Sequence, residues 1–135
     1  MRRLPKMSLK KALNTEFQIT TTTAYVESES APDQHRFFFA YKITIKNVGS
    51  STAQLMSRHW IITDALGHIE EVRGPGVVGL QPKITAGQSF EYDSACPLKT
   101  SSGSMRGFYH FVDEDGESFE VEIPEFYLIA PTAIH

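Results

Sequence analysis

The sequence predicts an all-β domain folded as a two-sheet antiparallel sandwich, and three observations carry that prediction. Apolar or β-prone residues alternate with polar ones through most of the chain, the period of half-buried strands. Roughly seven to nine such runs recur at about 8 to 12-residue spacing, separated by turn-forming residues. No run of ten or more residues carries helical periodicity with caps, apart from a short turn at Ser8 to Asn14. This pattern points to a sandwich of the immunoglobulin or fibronectin type III kind, with a small barrel as the alternative of equal periodicity.

Phe17, Ile19, Thr21, Thr23 and Tyr25 share one face of a first strand, with Gln18, Thr20, Thr22 and Ala24 on the other. Residues Glu27 to Gln34 have loop composition. A longer strand from Arg36 to Asn47 then puts Phe37, Phe39, Tyr41, Ile43 and Ile45 in phase. Ala53 to Thr63 forms a third strand with Trp60 as a core plug, and Asp64 to Gly67 turns it into a hairpin with His68 to Arg73. Leu80 to Ile84 reads as an edge strand because Pro82 has no N–H to donate. Ser89 to Cys96 is a strand expected to end at Pro97, and Lys99 to Ser104 is a polar loop. Met105 to Val112, Ser118 to Ile123 and Phe126 to Ile129 are the last runs, the first two joined by Asp113 to Gly116.

The chain has 135 residues, 41% hydrophobic and 21% charged, the proportions of one soluble domain. The division expected is a basic leader at 1–13, disordered, a domain at 14–131, and a tail at 132–135. The single Cys96 excludes an intrachain disulfide and a thiolate-rich zinc site, which points to the cytoplasm. No apolar run is long enough to insert into a membrane, and no secretory signal is expected. Arg2, Arg3, Lys6, Lys10 and Lys11 lie in the leader, so the rest carries 8 Lys+Arg against 16 Asp+Glu. An acidic body repels phosphate backbones, so it is not expected to bind nucleic acid.

Gly74-Pro75-Gly76-Val77-Val78-Gly79 matches G-x-G-x-x-G, but the residues that follow read as strand, so no helix N-terminus would face a phosphate. Two readings stay open: a structural loop crossing between sheets, or a phosphate loop. In the second, Gly74, Gly76 and Gly79 open a nest of N–H groups flanked by Arg73 and Lys83, and Gly76→Val weakens binding in a folded domain. His59 and His68, across one hairpin, are weak metal candidates, and Asp113, Glu114, Asp115 and Glu117 read as an acidic tip instead of a cation loop. Cys96 reads as a small buried residue, and no serine sits in a nucleophile elbow. At least one of Phe37, Phe38 and Phe39 should face away from the core, either contributing with Tyr127 to an apolar patch for a partner or buried by neighbouring loops. No enzyme activity and no cofactor are expected.

The stretches Arg58-His59-Trp60-Ile61-Ile62-Thr63-Asp64, Glu71 to Gly79 and Gly107-Phe108-Tyr109 carry a resemblance to the ApaG family of bacteria, extending from about Asn14 to Pro131. The resemblance implies a fibronectin type III-like sandwich and a role linked to cobalt resistance and magnesium efflux, with no established enzymatic activity. Similar domains in eukaryotic F-box proteins and in a protein that interacts with DNA polymerase are regarded as protein-interaction modules, so a protein partner is implied. The bacterial gene's common neighbour encodes a diadenosine tetraphosphate hydrolase, which makes a nucleotide or pyrophosphate ligand at Gly74, Gly76 and Gly79 the second expectation. The oligomeric state is left open.

Overall fold

A computed structural model describes residues 16–131. The basic leader, the turn at Ser8 to Asn14 and the tail at 132–135 lie outside the described residues. Eight strands follow one another: β1 (Phe17–Tyr25), β2 (Phe37–Asn47), β3 (Ala53–Asp64), β4 (Ile69–Pro75), β5 (Lys83–Ile84), β6 (Ser89–Leu98), β7 (Ser102–Asp113) and β8 (Ser118–Ile129). Two short 3-10 turns, Glu27–Glu29 and Pro32–Gln34, occupy the loop after β1. One sheet has the order β1-β2-β6 and the other β4-β3-β7-β8, with β5 also on β3, and all pairs are antiparallel. This is the strand order of a fibronectin type III sandwich.

Period-two patterning buries what it selects. Phe37, Phe39, Tyr41, Ile43 and Ile45 of β2 face Leu55 and Trp60 of β3, Tyr109 and Phe111 of β7 and Val121 and Ile123 of β8 in one core. Trp60 stands edge-on to Tyr41, Tyr109 and Phe126, at centroid distances of 5.7, 6.4 and 5.8 Å.

The structure departs from the expected elements at three prolines. β6 runs through Pro97 to Leu98, paired with Phe38 and Phe37. Pro97 is tolerated because β6 is an edge strand and this position turns its nitrogen toward the open side. The runs on either side of Pro124 form the single strand β8, in which Pro124 and Glu125 together face Arg106 as a bulge. Only Lys83 and Ile84 of the expected strand around Pro82 pair with β3. β7 also begins at Ser102, where a polar loop is expected, because Ser104 is nearly buried and donates to Glu125 Oε2 at 2.9 Å.

Candidate functional site

The glycine-rich segment is built on an irregularity in β3. Leu55 pairs with Phe111 and Ser57 with His110, so Met56 is an extra residue, a β-bulge. Its carbonyl, freed from the ladder with β7, accepts from the Gly76 N–H at 2.8 Å and from Gln81 Nε2 at 2.9 Å. The bulge also shifts the phase of β3, so that Leu55 and Trp60, five positions apart, both face the core. Arg58, two before Trp60, therefore points between the sheets. Its Nη1 donates to the carbonyls of Pro75 and Gly76, both at 3.0 Å. Gly74 lies directly across from Arg58, and a Cβ there would sit 3.0 Å from that same Nη1. The glycine leaves room for the guanidinium.

Beyond this anchor the chain makes a two-residue hairpin. Val77 and Leu80 exchange N–H to carbonyl bonds of 2.8 and 2.9 Å, with Val78 at φ 43° and Gly79 at φ 82° between them. Two positive φ values define a type I′ turn. Gly76 has φ 60°, and a side chain there would run into the Leu80 carbonyl. Gly76→Val therefore strains the hairpin itself and cannot serve as a binding variant in an intact loop. Val77 is fully buried, whereas Val78 and Leu80 are 54% and 53% exposed. The result is a pinned turn with an apolar tip.

The segment does not cross between sheets. It returns the chain from β4 to β5 along the same neighbour, β3, and the crossing comes later, at residues 85–88. Nor do its cations converge. Arg73 pairs with His59 and Lys83 with Gln54, five positions apart along β3, or roughly 16 Å at about 3.3 Å per residue. Pro75 has no N–H, and the N–H groups of Gly76, Val77 and Leu80 are donated within the fold. Those of Val78 and Gly79 stay at the tip.

His59 and His68 are likewise held apart by their hairpin. His59 Nε2 lies 2.8 Å from Glu71 Oε1, and His68 Nδ1 lies 3.3 Å from Asp64 Oδ2. The described residues contain no group of three or more side chains able to hold a metal ion. In the acidic tip, Asp113 Oδ1 accepts the N–H groups of Asp115 and Glu117, and Glu114 accepts that of Thr52, so these carboxylates order the turn. Phe38 and Tyr127 do not form one patch. Phe39 and Phe126 point into the core from different sheets, so their neighbours Phe38 and Tyr127 lie on opposite outer faces. The Arg36 guanidinium covers the Phe38 ring at 5.3 Å.

Where β4 and β6 flank the mouth of the sandwich, a cleft of about 260 Å³ is lined by Arg58, Tyr41, Trp60, Glu70, Ser94 and Cys96. Tyr92 and Tyr109 share a buried hydroxyl hydrogen bond of 2.5 Å behind it. Burial raises the Tyr41, Tyr92 and Tyr109 hydroxyls above the ordinary tyrosine range, opposed in part by the charge of Arg58. Burial also pushes the Cys96 thiol up to about 11. At pH 8 roughly one such thiol in a thousand is ionised. Ellman's reagent is accordingly expected to label Cys96 at least tenfold more slowly in the native protein than in guanidinium chloride; equal rates would show an accessible thiolate.

Fold and site together define a small antiparallel β-sandwich domain that holds a glycine-rich hairpin rigidly at the end of its β4 strand. The comparisons give that class its family. The ApaG domain model matches residues 27–113, and the chain belongs to this family. It is 73% identical over 120 residues to Protein ApaG of Bdellovibrio bacteriovorus, covering 89% of this chain and 94% of that one. To Protein ApaG of Acidithiobacillus ferrooxidans it is 54% identical over 121 residues, 90% and 95% of the two chains. A solved Bordetella pertussis structure described as a putative ApaA protein superposes with a TM-score of 0.83 at 51% identity, covering 85% of this chain and 94% of that one. No helix among the described residues is long and apolar enough to cross a membrane.

Trp60 is the core plug expected, the glycines build a turn within one sheet instead of a crossing between sheets, and Met56 and Arg58 are absent from the candidate residues read in the sequence. A signal for them exists. Leu55 and Trp60 cannot share one face of a regular strand, so one extra residue between them is required if both are core.

Proposed function

We propose that this ApaG domain is a non-enzymatic, cytoplasmic protein-binding module whose contact point is the Val78–Gly79 hairpin tip. One observation carries the reading. A type I′ turn favours Asn-Gly, yet this turn holds a β-branched valine at φ 43° with its side chain largely in solvent. Valine in that backbone region costs about 1–3 kcal/mol, and at 54% exposure folding draws only partial burial from it in return. Such strain, held in place by Arg58 and the Met56 bulge, has a reason if Val78 and Leu80 insert into a partner. The dispersal of Arg73 and Lys83 and the spent N–H groups support an apolar occupant over the alternative, a phosphate or nucleotide. Cobalt resistance and magnesium efflux, the roles that the family resemblance implies, then run through the partner, without an ion held by the domain.

Val78→Asn tests this, because asparagine tolerates left-handed backbone and removes the apolar tip. The variant is expected to unfold about 1 kcal/mol later than the native protein while recovering at least tenfold less of the partner captured by native protein from lysate. Undiminished capture by the stabilised variant would remove the tip from the interface. Saturable binding of pyrophosphate to the native protein, with shifts confined to the amides of Val78 and Gly79, would favour the phosphate reading instead.

A further inference from the structure

Among the described residues the sandwich has open strand edges, and they are not equally protected. Edge strands invite pairing with another chain unless charge, proline or a bulge prevents it. β6 carries Glu91, Asp93 and Pro97, and β4 carries Glu71, Arg73 and Pro75. β8 carries Glu120, Glu122, Pro124 and a bulge opposite Arg106. β1, with the sequence FQITTTTAY, has none of these, and its nine residues pair with β2 without a break in register. From this contrast we propose that β1 is a homodimerisation edge, at which two copies of the chain join their three-stranded sheets into one six-stranded sheet.

The hydrogen-bond phase of β1 makes the second copy its fitting occupant. Val26 N–H donates to Phe38 at 2.8 Å, and Val48 N–H donates to Glu16 at 2.7 Å, so the even-numbered positions exchange bonds with β2. The odd-numbered positions Phe17, Ile19, Thr21, Thr23 and Tyr25 consequently turn their N–H and C=O groups to the open edge. An antiparallel pairing centred on Thr21 sets Thr21 against itself, Ile19 against Thr23, and Phe17 against Tyr25. Each of these pairs joins two outward-facing positions, so about ten backbone hydrogen bonds form with no group stranded. On the other face Thr20 meets Thr22 and Gln18 meets Ala24, giving threonine and aromatic cross-strand pairs and no charge repulsion. The register is therefore self-complementary, as a two-fold interface requires. β1 lies over β8, on the flank away from β4, so each copy keeps its Val78–Gly79 hairpin uncovered. The dimer does not depend on the proposed function of that hairpin, although it would make the hairpin bivalent.

Sedimentation equilibrium of the full chain from micromolar to millimolar concentration, with amide exchange measured over the same range, tests the proposal. The expected result is a reversible dimer in which the amides of Phe17, Ile19, Thr21, Thr23 and Tyr25 gain protection as concentration rises. Thr21→Pro removes an outward N–H and no bond to β2, so it should unfold like the native protein while weakening the dimer roughly a hundredfold. The exposed double change Thr20→Lys with Thr22→Lys puts like charges opposite each other across the pair and should weaken it comparably. A monomer throughout the range would overturn the proposal. So would a dimer that leaves those five amides unprotected, or one that both variants form as readily as the native protein.

Discussion

Trp60→Ala is expected to lower the unfolding free energy by about 3–5 kcal/mol, and the melting temperature by about 12–20 °C at roughly 4 °C per kcal/mol. The indole is 3% exposed and lies where the two sheets meet. Three aromatic rings stand edge-on to it: Tyr41 from the β1-β2-β6 sheet, and Tyr109 and Phe126 from its own. Each such pair contributes about 0.5–1.5 kcal/mol beyond the apolar area it buries. Because the rings belong to three different strands, no single movement can refill the cavity. Trp60→Phe should recover part of the loss. Thermal unfolding of the two variants checks this, and a shift below about 5 °C for the alanine variant would mean that the core closes over the gap.

Asn47→Asp is expected to cost about 3–4 kcal/mol at neutral pH, although it changes a single atom. Asn47 is fully buried at the end of β2. Its Nδ2 donates to the carbonyls of Ser51 at 2.8 Å and Ile84 at 2.9 Å, while its Oδ1 accepts the Gly49 N–H at 3.0 Å. Its own backbone bonds Gln88 and Gly87. One side chain thus ties together two of the three points where the chain passes between sheets, those after β2 and after β5. A carboxylate there faces two carbonyl oxygens and donates to neither. Burial and those oxygens would raise its folded-state pKa above the unfolded value, so the penalty is largest at high pH and shrinks as pH falls through the folded pKa. Denaturant unfolding of variant and native protein between pH 4 and pH 8 measures it. A difference that grows toward acid would contradict the assigned donor role of Nδ2.

Neither effect is equally visible in the sequence. Trp60 announces itself, because a large apolar residue in an alternating run has one place to go. Asn47 reads only as a strand end ahead of Gly49 and Ser50, since its acceptors at Ser51 and Ile84 are set by the packing of two crossovers. The same division holds at the glycine-rich segment. Its composition marks a tight turn, and its following proline and β-branched residues exclude a helical phosphate site. Which N–H groups the turn spends depends on the Met56 carbonyl and on the Leu80 partner.

Strand identity, the buried face of each strand and the all-β class were legible because side-chain alternation is a local property with period two. Hairpins at Asp64 to Gly67 and Asp113 to Gly116 were legible for a related reason: their turn chemistry lies within a few consecutive residues. The tertiary structure decided the rest. It inverted the phase of β3 at Met56 and so turned Arg58 inward. It separated Arg73 from Lys83 and His59 from His68, and it put Phe38 and Tyr127 on opposite faces. It also left β1 with its odd-numbered backbone groups at an open edge. Each of these outcomes is a register between strands distant in the sequence, and register is settled by the whole sandwich closing over one core instead of by neighbouring residues.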